Sequence, residues 1–186
     1  QHLMAIATYR DAMSVLNEAR TPVEWAQIQL DLGNSLLSTG AGQQGTLFLS
    51  QAAEAYRNAL KIMTKETIPW KWAMAQHNLG VALKLIGERE TGSAPLKDSI
   101  LKFELALTIF SRKQSPLDWA MAQNNLGLSL SALWEREAPL RAALFESGQK
   151  ALLEQQRDGK VPMTIADHTA AQEAIMKSAT STEQLE

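Results

Sequence analysis

The sequence predicts an all-α protein built as an array of antiparallel helix pairs, and three observations predict it. Prolines Pro22, Pro69, Pro116 and Pro162 are spaced 47, 47 and 46 residues apart. A near-identical decapeptide occurs twice, "KWAMAQHNLG" from Lys71 and "DWAMAQNNLG" from Asp118. No segment sustains the period-two alternation of β-branched residues that marks a strand.

Each period holds two segments. The first opens on the proline, a residue suited to the first turn of a helix. Trp25, Trp72 and Trp119 follow three residues on, then Gln29, Gln76 and Gln123, then Leu32-Gly33, Leu79-Gly80 and Leu126-Gly127. Trp72, Gln76, Leu79, Gly80 and Leu83 fall on one face of a helix. The second segment carries "YRDAM" at Tyr9, "YRNAL" at Tyr56 and "FELAL" at Phe103, again in steps of 47. Tyr56, Ala59, Leu60 and Met63 share a helical face. Turn-rich joints, "STGAGQQGT" and "GERETGSAP", separate the segments.

Eight helices are expected, near 2–19, 22–38, 48–66, 70–87, 96–113, 116–136, 139–157 and 163–178. In the last of these Thr169 replaces the glutamine and Glu173 the glycine, giving a more polar terminal cap. Residues 1–178 are expected to form one array and residues 179–186 a flexible tail. Gly33, Gly80 and Gly127 lie within helices, where glycine costs about 1 kcal/mol relative to alanine. Recurrence at one register predicts a close helix crossing, with Ala59 and Ala106 as the small residues opposite.

The pattern Leu-Gly-x-x-Leu on a first helix, in "NLGVAL" and "NNLGLSL", followed by Tyr/Phe-x-x-Ala-Leu on a second, in "AYRNAL", resembles the tetratricopeptide repeat. The resemblance covers Tyr9 to about Leu153. The period of 47 exceeds the family's usual 34 or so, as a longer first helix and a longer loop would produce. The resemblance implies a right-handed α-solenoid that binds a protein or peptide on the concave face of its first-type helices.

Composition limits the alternatives. A formal net charge of -2 gives no basic footprint for nucleic acid. No apolar run approaches the ~18 residues of a membrane helix, so membrane insertion is not expected. The absence of cysteine excludes disulfides and thiolate chemistry. It leaves the compartment open, with cytoplasm favoured. The chain opens on Gln1 without a cationic leader, as a processed form or a piece of a longer protein would. His2, His77 and His168 are far apart, and no phosphate loop or nucleophile elbow occurs. Neither catalysis nor a cofactor or metal is expected. The doublets in "GERE" and "WERE" read as charged loop shoulders. Trp25, Trp72 and Trp119 read as inter-helix core, and Trp70 and Trp134 as the exposed tryptophans.

The expected binding strip is what the core stripe leaves over: Asn34 on the first repeat, Met74, His77, Val81 and Lys84 on the second, Met121, Asn124 and Leu128 on the third. Methionine and leucine with amide groups suit an apolar peptide whose backbone the amides bond. The first helix carries an apolar face, Leu3, Ile6, Tyr9, Met13 and Leu16, that predicts docking to another repeat or self-association. The alternative is a regulatory or oligomerisation segment of a larger protein.

Overall fold

The computed structural model describes residues 2–157, apart from the side chains at 152 and 155–157. Residues Gln1–Glu135 and Arg136–Glu186 form two compact units. Among the described residues there are six helices and no strand: α1 (His2–Met13), α2 (Pro22–Ala41), α3 (Leu47–Ile62), α4 (Pro69–Arg89), α5 (Ala94–Leu107) and α6 (Pro116–Arg157). None is long and apolar enough to cross a membrane. The expected helix at 163–178 and the tail at 179–186 lie outside the described residues.

The glycines explain how α2 pairs with α3 and α4 with α5. A Cβ on Gly33 would lie 2.6 Å from Cε1 of Tyr56, and one on Gly40 2.8 Å from Cδ2 of Leu49. One repeat later, Gly80 meets Phe103 at 2.8 Å and Gly87 meets Leu96 at 2.7 Å. As numbers rise along α2 and α4, the opposed numbers fall, so each pair is antiparallel. The tight approach is real at Gly33 and Gly80, but the partner is an aromatic ring and not Ala59 or Ala106. At Gly127 the expectation fails, because nothing lies within 4 Å of the Cβ position.

The joints between pairs repeat as closely as the helices do. Asn17 Oδ1, Thr64 Oγ1 and Ser111 Oγ, 47 residues apart, each accept a bond from the backbone N–H three residues on, at 2.9, 3.2 and 3.1 Å. Such side-chain caps offer the chain a turn in place of a further helical turn. They end α1 and α5 about six residues before the expected boundaries and α3 about four before. The next helix then starts at its proline, with the Trp25, Trp72 and Trp119 N–H groups bonded to the carbonyls of Thr21, Ile68 and Ser115. Lys65 and Arg112, again 47 apart, lie 6.0 and 5.9 Å from the ring centroids of Trp72 and Trp119.

The largest correction is at α6, where the expected helices 116–136 and 139–157 are one element. The earlier joint reads "GERETGSAPL" and the later one "WEREAPL": the Thr-Gly-Ser that makes the turn is missing. Nothing in Glu135–Ala138 favours a turn, and Pro139 lies inside the helix. Pro139 removes only one backbone bond, whereas a reversal would leave several helix-end groups unpaired. Tryptophan also stands at 134, where Gly40 and Gly87 admit a partner helix.

The first unit's core falls in two clusters. One gathers Leu36, Ala53, Tyr56, Ala59, Met63 and Leu79, with Trp25 packed against it. The other gathers Ala73, Ala106, Phe110 and Ala122, with Trp72 and Trp119 against it. Trp70 and Trp134 are exposed.

Candidate functional site

The first-type helices α2, α4 and α6 are laterally connected. Lys71 Nζ donates to Gln27 Oε1 at 2.6 Å, and Asn78 Nδ2 donates to Asn34 Oδ1 at 2.9 Å. Both bonds step 44 residues in the same sense, so α2 and α4 run parallel. Asn125 Nδ2 faces His77 Nε2 at 3.2 Å and joins α6 to α4. Ser99 donates to Ser129 at 2.9 Å where α5 meets α6, both fully buried. A polar row thus crosses three helices beside the packed core.

Asn34 is the hub of this row. Its Oδ1 accepts from both Asn78 and the Tyr56 hydroxyl, the latter at 2.9 Å. Burial pushes the Tyr56 hydroxyl pKa far above its ordinary value, with the Asn78 amide pulling slightly back. His77 is buried between rings, 5.5 Å from Phe103 and 6.3 Å from Phe110 by centroid. Its Nδ1 lies 3.2 Å from Asn78 Oδ1. A neutral ring protonated at Nδ1 donates to Asn78 and accepts from Asn125 at Nε2. Burial holds its pKa below the usual histidine value, opposed by the Asn78 bond and by Asp118.

The expected strip therefore divides. His77 has both ring nitrogens engaged inside the protein, and Asn34 is occupied by Tyr56 and Asn78. Lys84 is buried and pairs with Glu88 at 3.1 Å. Met74 and Val81 are half-buried, Met74 against the second core cluster. Met121, Asn124 and Leu128 are exposed, with Met121 and Leu128 at 45% and 48%, enough to meet a partner. The sequence placed Gln27 beside Asn34 on this row and missed Lys71, Asn78 and Asn125. A signal existed: the residue two before each glycine is polar in all three repeats, Asp31, Asn78 and Asn125.

Two further features are structural. Arg89, read as a loop shoulder, donates to the carbonyls of Gly40, Ala41 and Gly45 at 3.0, 3.2 and 2.8 Å. It satisfies the end of α2, where helix carbonyls lack partners and the dipole favours a cation. An open cleft of about 300 Å³ lies over α2, lined by Leu32, Leu36, Gln29 and Glu54 and bridged by Arg10 donating to Gln51 at 3.2 Å. Among the described residues, no three His, Asp or Glu side chains converge to hold a metal. Comparisons with protein-family models, with curated proteins and with solved structures return no match to this chain.

Proposed function

We propose that this chain is a non-enzymatic, tetratricopeptide-like solenoid scaffold that holds an apolar peptide or helix of a partner protein along its parallel first-type helices. The observation that carries the reading is the polar row Gln27–Lys71 and Asn34–Asn78, continued by His77–Asn125. The bonded residues are 44 apart between α2 and α4 and 48 apart between α4 and α6, and Met74, Val81, Met121 and Leu128 lie beside the row. Those apolar side chains supply affinity at about 25 cal/mol per Å² buried, before ordering costs. Asn124 is the exposed amide free to meet a peptide backbone. His77 and Asn34 contribute by fixing the helices rather than by touching the ligand.

A peptide selected from a random display library on the 186-residue chain tests this. Val81→Glu and Leu128→Glu are expected to abolish its binding, while Glu90→Ala in the loop leaves it unchanged. Binding should respond weakly to salt, because the strip offers little free charge to screen. Binding that survives both groove changes and fails in the loop variant would move the site to the loops.

The second reading is an oligomerisation segment of a larger protein. It is favoured by the uncovered helix face on α1, where Ala5, Tyr9 and Ala12 are only half-buried.

A further inference from the structure

The aromatic positions Tyr9, Tyr56 and Phe103 and the glycine positions Gly33, Gly80 and Gly127 recur with one period, 47. Within the chain each ring fills the niche 23 residues before it: Tyr56 lies over Gly33 and Phe103 over Gly80. Among the described residues Tyr9 and Gly127 have no such partner, Tyr9 packing only in part against the edge of the first core cluster.

Both surfaces are uncovered where their counterparts are covered. On the glycine side, Leu36 and Leu83 are 1% and 5% exposed, while Leu130 in the same register is 49% exposed. Gln29 and Gln76 are buried, and Gln123 is exposed. On the ring side, Leu49, Ala52, Tyr56 and Ala59 of α3 are fully buried. Their counterparts on α1 are His2, which is exposed, and Ala5, Tyr9 and Ala12, which are half-buried. Among the described residues after Gly127, neither matching position carries the substitute. Lys150 stands 23 residues on where a ring is needed, and Ala143 stands where Leu49 and Leu96 pack.

We infer that the Gly127 face of α6 is the docking site for α1 of a second copy, with the Tyr9 ring seated over Gly127, so that copies associate head to tail. The occupant is identified by register and by volume. In the two internal pairs a glycine meets a leucine at the far end of the crossing, Gly40 with Leu49 and Gly87 with Leu96. At the proposed junction the large residue changes sides: Trp134, exposed at 66%, would lie beside His2. The contact is heterologous, so each pair still offers one free α1 and one free Gly127 face and can extend or close into a ring. This inference does not rest on peptide binding by the groove.

The test is sedimentation velocity on the 186-residue chain from low micromolar to near-millimolar concentration. The wild type should grow beyond a dimer as concentration rises. Gly127→Ala should raise the monomer's Tm, because its Cβ meets only open space. It should also raise the concentration for half-association by roughly tenfold or more, since a Cβ there would strike an incoming ring. Gly127→Gln blocks the niche and Ala5→Glu blocks the α1 face. Each alone should stay monomeric with unchanged helicity, and their mixture should stop at a one-to-one dimer. A wild type that stays monomeric throughout would overturn the proposal, as would a Gly127→Gln chain that associates like the wild type. If Ala5→Glu fails to fold, the Gly127 variants alone decide.

Discussion

His77 and the helix glycines show how one side chain takes its meaning from what faces it. Neutral His77 satisfies Asn78 and Asn125 together. A protonated ring would present a donor to the Asn125 amide and carry charge between Phe103 and Phe110. Its folded pKa lies below the ordinary value of 6.5. The unfolded state therefore binds the proton first, and stability is lost as pH falls from about 6.5 toward the folded pKa. Tm should fall between about pH 7 and pH 5, and His77→Gln should flatten that fall; equal pH profiles would remove His77 as the cause. The glycines make an opposed pair. Gly80→Ala should cost roughly 1–3 kcal/mol by pressing a Cβ on Phe103. Gly127→Ala should stabilise the monomer by about 1 kcal/mol through helix propensity alone. Denaturant melts of the two variants read both signs, and equal signs would refute the assigned packing.

Helix ends are set by groups that interrupt or complete the backbone ladder. The Asn17, Thr64 and Ser111 turns stop one class of helix, and Arg89 completes the end of α2. Arg89→Ala should cost about 1–2 kcal/mol, as loss of charged hydrogen bonds to carbonyls does, measured by urea unfolding. The continuity of α6 has the opposite origin, a missing turn. Inserting Thr-Gly-Ser between Glu137 and Ala138, together with Trp134→Gly, restores the pattern of Gly87–Leu96. The variant should gain a protease-sensitive point at the new joint. Unchanged resistance to limited proteolysis would show that the tripeptide is not what makes the earlier turn.

For the molecule as a whole, the unit Gln1–Glu135 carries two core clusters linked through α4. In a repeat array stability is close to a sum of units and their nearest-neighbour interfaces. A chain ending at Glu135 should therefore melt cooperatively with its helical signal intact. A broad, non-cooperative melt by circular dichroism would show that the unit depends on residues beyond it. The exposed Gly127 stripe and the uncovered face of α1 lie within this same unit, so the truncated chain should keep whatever association they support.

The sequence by itself determined the all-helical class, the 47-residue period, the starts of α2, α4 and α6 at their prolines, and the exposure of Trp70 and Trp134. These follow from local causes: proline geometry, helical spacing and turn composition act within a few residues. Tertiary structure decided what the repeated positions do. Tyr56 and Phe103, not the alanines, fill the glycine niches, because a helix pair closes on its largest interior side chain. His77 and Asn34 left the expected strip, because at their angle on the helix they face neighbouring helices rather than an open groove, and Lys84 left it because it is buried and paired with Glu88 one turn on. Gly127 repeats the letter of Gly33 and Gly80 without the contact, since the packing of a glycine is a property of the helix opposite. For Gly127 no described helix lies opposite.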